Sequence, residues 1–202
     1  NKDHSHRGVP ANQDAERVIR VSWEKAMAYC AWLAKQTGRD FTLPTEAQWE
    51  WACRAGTATP LYYGGADADF GKLANLADVR LHGLLVGDSP HWIPAIAAVN
   101  DGATATNAVG RYAPNAWGLF DMIGNVAEWT LTTYRPYPYA ADGRDGGQAD
   151  GRKVARGGSF YARPAGARSA SRVNYYAWQP VHDVGFRVVC PLDPPRKVAQ
   201  AR

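Results

Sequence analysis

The sequence predicts an α+β domain with a small sheet, two main helices and a high content of irregular chain. Three observations point there. Only two segments combine an apolar helical period with caps. The strand-like runs are short and scattered. And 20 Gly and 13 Pro among 202 residues break the chain into turns, so less helix than average is expected. A hydrophobic content of 46%, with 8 Trp and 10 Tyr, excludes a disordered chain. The length suits one domain with a real core.

Residues 1–17 form a polar N-terminal segment. Asp3, His4 and His6 are metal-ligand types, but nothing around them is apolar enough to fix ligands, so a solvated segment is expected. Arg17–Val21 alternates loosely and reads as a short strand. Ser22 then caps a helix whose Trp23, Met27, Cys30 and Leu33 or Ala34 share one face, with Glu24 in the first turn and Gly38 placed to end it. A second helix follows Leu43-Pro44. Thr45 and Gln48 have capping-box spacing, and Gly56 can stop it. Glu46 and Glu50 lie one turn apart. One is expected to face water and the other to pair with Arg54.

From Thr57 to Asn115 the chain reads as loop, with Asn75, Asp78 and Asp101 as candidate oxygen donors or simple turn residues. His82 and His91 are isolated and read as structural or exposed. The stretch Trp117–Thr130 is dense enough in apolar residues to be core, yet it carries two glycines, an Asn and two carboxylates. Neither strand alternation nor a helical stripe fits it, which predicts an irregular backbone. Two explanations are open. Asp121, Glu128 and carbonyls near Gly124 supply the hard oxygens Ca²⁺ prefers, or the carboxylates bond backbone N–H groups or an Arg.

Tyr134 to Asp150 reads as a mobile surface loop. Val154–Phe160 predicts a strand with a glycine bulge or a close backbone approach, Ala167–Tyr176 another strand or extended segment, and Val184–Cys190 the clearest strand, ended by Pro191. Residues 191–202 are a polar, Pro-rich tail. The net charge of +4 is scattered, with no basic stripe, so no nucleic-acid partner is expected. No apolar run reaches membrane-spanning length. The 3 Cys have no CxxC spacing, which argues against structural zinc and allows one disulfide at most. The chain starts at Asn1, so a missing leader says nothing about compartment.

Five stretches then agree in order and spacing with one family: Val21–Cys30, Leu43–Glu50, Gly124–Trp129, Arg156–Ser159 and Gly185–Arg187. Together, over residues 18–190, they resemble the sulfatase-modifying-factor domain, the fold of formylglycine-generating enzyme. The family's N-terminal strand region has no counterpart before them. The resemblance implies a C-type-lectin-like core with a small, twisted, mostly antiparallel sheet. It also implies structural Ca²⁺ at one or two sites. One comprises Asn75, the Leu76 carbonyl, Asp101 and the Ala103 carbonyl. The other comprises Asp121, the carbonyls of Gly124 and Val126, and Glu128. A disulfide between Cys30 and Cys190 is implied as well, and with Ca²⁺ would suit an extracytoplasmic (periplasmic or exported) protein.

Family enzymes use copper and two cysteine thiolates after the Gly-Gly-Ser motif. The matching positions here are Ala162 and Ala167, and a methyl group cannot ligate Cu(I). No catalytic residue and no copper are therefore expected. Non-enzymatic relatives present contact residues from the corresponding surface, which here offers Tyr161, Arg163, Arg168, Arg172, Asn174, Tyr175, Tyr176, Trp178, His182 and Asp183. The alternative for these aromatics is a role roofing the core. The sequence thus points to a non-catalytic binding or structural module, an accessory subunit or interaction domain with a protein partner or larger complex. The alternative is an enzyme of altered chemistry, such as an oxidoreductase using the old groove. His182 and Asp183 are its acid–base candidates, although neighbours in a strand point to opposite faces.

Overall fold

The computed structural model describes residues 5–6, 9–10, 15–81, 96 and 98–191. The chain order is β1 (Ser5–His6), β2 (Val9–Pro10), α1 (Trp23–Thr37), α2 (Glu46–Arg54), β3 (Ala127–Thr133), β4 (Arg152–Arg156), β5 (Val173–Tyr176) and β6 (Val184–Phe186). Strands β1 and β2 form a small antiparallel hairpin within the polar segment. Of the residues singled out above, Asp3, His4, His82, His91 and the tail beyond Pro191 lie outside the described residues.

Both helices form where their local signals place them. The Ser22 hydroxyl accepts the Lys25 N–H at 3.3 Å, and Gly38 closes α1 at φ 69° with its N–H on Ala34 O. Thr45 and Gln48 complete a reciprocal capping box on α2. There the left-handed residue is Ala55, at φ 45°, one position before the expected Gly56. Glu50 pairs with Arg54 as expected, but Glu46 does not face water. It is fully buried and gripped by two Arg172 N–H groups at 2.6 Å each.

The main sheet has the order β5-β4-β3-β6. β4 runs antiparallel to both β3 and β5, while β6 lies parallel to β3, so the sheet is mixed but mostly antiparallel. The expected strand at Arg17–Val21 does not form. Arg20 has a positive φ of 58°, and its N–H goes to Val181 O rather than to a ladder. Only the last four residues of Ala167–Tyr176 are strand.

Central strand β3 is buried on both faces. Ala127 and Trp129 face the core under α1 with Trp23, Cys30, Leu43, Ala155 and Val184. Two indoles lock that core reciprocally: Trp129 Nε1 donates to Val21 O at 2.9 Å and Trp23 Nε1 to Thr130 O at 2.8 Å. The alternate residues Glu128, Thr130 and Thr132 are buried on the other face, where α2 packs.

A second core lies under the irregular half and joins Trp49, Cys53, Leu61, Phe70, Leu76, Met122, Ile123 and Ala167. Two residues expected there face solvent instead: Trp117 and Phe120 are exposed. The loop after β3 is on the surface but pinned rather than free. Arg144 is buried against Asp142, and Asp145 accepts hydroxyls from Thr132 and Tyr139.

Candidate functional site

Three groups of residues came out of the sequence: the positions of the missing thiols, two oxygen-rich loops and a proposed contact surface.

Gly158 sits at φ 68° after β4, and a methyl placed on it would lie 2.7 Å from Ala167 Cβ and 3.0 Å from Ala162 Cβ. The two alanine methyls therefore converge on one point. Ala167 is fully buried and Ala162 half-buried. The nearest thiol chemistry is Cys53, in the same core. Its sulfur bonds the Ser169 hydroxyl at 3.5 Å, and burial pushes its pKa up to about 11, so it stays a neutral thiol. Cys30, Cys53 and Cys190 are all free, so the Cys30–Cys190 bridge is not formed in this structure.

Ser159, from the same turn, donates to Asp183 Oδ2 at 2.6 Å. Asp183 Oδ1 lies 3.7 Å from His182 Nε2. The neighbours do meet, contrary to the strand argument, because residues 182–183 form a turn ahead of β6. The order is nevertheless wrong for nucleophilic catalysis: the serine proton points at the carboxylate, not at an imidazole that would accept it.

The first oxygen-rich loop is drawn together. Asp101 accepts N–H groups from Leu76 and Ala103 at 2.9 and 2.8 Å, and donates its own N–H to Asp78 Oδ2 at 2.7 Å. Burial, partly offset by the Ala103 N–H and reinforced by Asp78, raises the Asp101 pKa to about 7. Neither carboxylate has a salt bridge to a described residue. Asn75 and Leu76 are buried beside them, and Asn75 bridges to Gly124 of the second loop.

That second loop is irregular as expected up to Val126, with left-handed residues at Asp121, Gly124 and Asn125, but the last residues of the stretch, Ala127–Thr130, run into the central strand β3, which the sequence did not predict. Asn125 joins the two loops: its N–H donates to Asn75 O at 2.8 Å and its side chain bonds the Asn107 backbone in both directions. Glu128 is taken by protein cations. Arg187 donates to it through two N–H groups, Arg17 through one, and Trp49 Nε1 at 2.7 Å. Burial would raise the Glu128 pKa, but Arg187 and Arg17 together outweigh it and bring it down to about 2. Pairing of Glu128 with Arg is thus formed, as one of the two explanations has it. The sequence reading missed Arg17 because it lies 111 positions from Glu128.

The proposed contact surface divides. Arg172 is structural: besides Glu46, its guanidinium lies over the rings of Tyr134 and Tyr137 at 4.7 and 4.5 Å. Tyr175 packs edge-on against Trp129 and belongs to the core. Arg163, Arg168, Tyr176, Trp178 and His182 are exposed, and Tyr161 is half-buried. Tyr176 and Trp178 stack at 5.9 Å near the β5 edge, with Arg152 over Tyr176, while Tyr161 meets His182 edge-on at 5.2 Å. A further aromatic pair went unnoticed in the sequence. Trp51 is 69% exposed and packs edge-on against Trp117 at 4.3 Å. The signal was available: with Trp49 facing inward on α2, a residue two positions on must face outward.

Comparison with known proteins supports this geometry. The domain family described as sulfatase-modifying factor enzyme 1-like matches residues 2–192. Formylglycine-generating enzyme of Mycobacterium tuberculosis is 34% identical over 130 residues, covering 63% of this chain and 37% of that protein. Inactive C-alpha-formylglycine-generating enzyme 2 of Mus musculus is 36% identical over 120 residues, covering 59% and 33%. The chain thus spans less than two-fifths of either relative. The solved structure of PvdO from Pseudomonas aeruginosa aligns with a TM-score of 0.70 at 29% identity, over 92% of this chain and 66% of PvdO. Treponema denticola variable protein 1 shares the fold, with a TM-score of 0.70 at 24% identity. With the two capped helices, the mixed sheet and the Gly158 turn in place, the chain belongs to the sulfatase-modifying factor enzyme 1-like domain family.

Proposed function

We propose that the chain is a non-catalytic binding or structural module on this scaffold, acting as an accessory subunit or interaction domain of a larger assembly. One observation carries the reading. The two side chains that converge at the Gly158 turn are the methyls of Ala162 and Ala167, where the family resemblance places a pair of thiols. A pair of methyls offers no soft ligand and no redox chemistry. The relative named as inactive supports the view that this scaffold is used without its chemistry. Contact with a partner is assigned to the exposed stack of Tyr176 and Trp178 and to the exposed arginines beside Ala162.

The test is an oxidation assay on a cysteine-containing peptide with Cu(I) supplied. The expected result is no aldehyde product and no copper bound, whereas Ala162→Cys/Ala167→Cys gains one Cu(I) per chain. Aldehyde formation by the unaltered protein would overturn the reading.

A structural role for Ca²⁺ belongs to the same reading, at the first loop. Asn75, Asp101 and the carbonyls of Leu76 and Ala103 would hold it, with Asp78 adjacent. The donor set is all oxygen, with two buried carboxylates joined through the Asp101 N–H and, among the described residues, no salt bridge to either, Arg111 acting on Asp101 only through its charge. Its contribution would be to tie Asn75–Ala103 to the second loop. An extracytoplasmic setting, where Ca²⁺ is abundant, suits such a site. Chelation should lower the melting temperature, and Asp101→Asn should abolish that response.

A further inference from the structure

The second loop carries the same kind of oxygen donors, yet its electrostatics are already closed by the protein. Asp121 and Glu128 are 2% and 1% exposed, so two negative charges are buried together. Against them stand the guanidiniums of Arg17 and Arg187. Glu128 Oε1 accepts from Arg17 and from Arg187 Nη2, and Oε2 accepts from Arg187 Nε and Trp49 Nε1. Four donors fill the lone-pair positions of that carboxylate. Arg17 Nη2 reaches Asp121 Oδ2 at 3.5 Å, and both guanidiniums also donate to the backbone oxygens of Phe120 and Asp121.

Arg17 is not a stray surface side chain. The backbone on which it rides is anchored to the 106–109 segment: Glu16 bridges to Ala108, Val109 N–H donates to Ala15 O at 2.8 Å, and the Thr106 hydroxyl donates to Glu16 at 3.2 Å. Its own side chain is only 11% exposed.

We infer that Arg17 occupies, as a built-in cation, the place that a divalent ion would take between Asp121 and Glu128, so that this loop is held without metal. The count of charges balances at zero, and a dication on Glu128 would have to displace one of its present donors. Removing Arg17 would leave Arg187 as the one positive charge for two carboxylates and would open the space beside Glu128 Oε1, both oxygens of Asp121 and the carbonyls of Phe120 and Asp121, where Arg187 Nη2 still donates to Oε1 and the two carbonyls and the Gly110 N–H to Asp121 Oδ2. Asp121 Oδ1 is buried without a hydrogen-bond partner in the structure as it stands, which makes it the ligand that an incoming cation finds vacant. Such a set suits Ca²⁺.

Calorimetric Ca²⁺ titration of the whole chain and of its Arg17→Gln variant tests this. The variant should bind one more Ca²⁺ per chain than the unaltered protein, and Arg17→Lys, which keeps the charge, should not. Adding Asp121→Asn to Arg17→Gln should remove the gained ion. An unchanged count in Arg17→Gln overturns the inference, as does an ion in the unaltered protein that Asp121→Asn removes and Asp101→Asn does not. Should Arg17→Gln fail to fold in chelator, refolding on addition of Ca²⁺ supports the inference and failure to refold in Ca²⁺ overturns it. The Asp101→Asn arm keeps the result separate from the fate of the first loop.

Discussion

Glu128 is the residue on which most of the molecule converges, because it collects Arg17 from before α1, Trp49 from α2 and Arg187 from after β6. Its folded pKa of about 2 lies below the ordinary carboxyl value of 4.5, held there against burial by Arg187 and Arg17. A carboxyl with a depressed folded pKa stabilises the protein above its unfolded pKa, and that stabilisation is lost as pH falls through the folded value. Acid unfolding should therefore steepen between pH 4.5 and about 2. Glu128→Gln leaves two half-buried guanidiniums without their shared buried carboxylate and should cost roughly 3–5 kcal/mol at pH 7. Urea titrations at pH 7 and at pH 2.5 check this, with the gap between the two proteins narrowing at the lower pH. A carboxylate's partner is a non-local fact. Sequence reading offered Glu128 either a cation or an Arg, and the arginines that meet it, 59 and 111 positions away, lay beyond its reach.

At the scale of elements, what is local was legible. The helices were readable because Ser22, Thr45, Gln48 and Gly38 act within one turn of themselves. Thr45→Ala should cost α2 its capping box and about 1 kcal/mol in a thermal melt. Strands were readable only where they run through apolar sequence. Part of β4 was found, β5 and β6 were overextended, β3 was missed because Ala127–Thr130 was read as irregular chain, and Arg17–Val21 was misread, since Val–Ile–Arg–Val looks like a strand whether or not a neighbour supplies a ladder. The packing of the two loops was not legible at all. Gly124 shows why its position matters: at φ 76°, a methyl there would lie 2.2 Å from Asn75 O. Gly124→Ala should therefore separate the loops, at a cost of about 3 kcal/mol or more. Accelerated amide exchange at Asn125, whose N–H bonds that same carbonyl, would confirm the route.

For the whole molecule, the aromatic residues have divided into those that build the core and those left on the surface. Trp129 is fully buried while Trp178 is 64% exposed, though composition treats them alike. Trp129→Ala should cost roughly 3–5 kcal/mol. Trp178→Ala should leave the melting temperature nearly unchanged and weaken partner capture about tenfold or more if the Tyr176–Trp178 stack is a contact hot spot. Unfolding of Trp178→Ala would instead make that ring part of the core. The family was legible from five short motifs because they are the points where the chain turns or packs closely. What the exposed rings meet was not, since an exposed ring records only that nothing in the described chain covers it.

The parallel pairing of β6 with β3 has a consequence for how the molecule is made. Residues 184–186 complete the sheet beside 127–129, Arg187 supplies the charge that Glu128 lacks, and Val189 pairs with Thr42. During synthesis, everything up to residue 183 leaves the ribosome with its central strand open on one side and a carboxylate buried without its main partner. Cooperative structure in this domain must then wait for residues 184–189. Ribosome-stalled chains in which residue 188 is still inside the exit tunnel should be cleaved readily by protease, and chains in which it has emerged should resist.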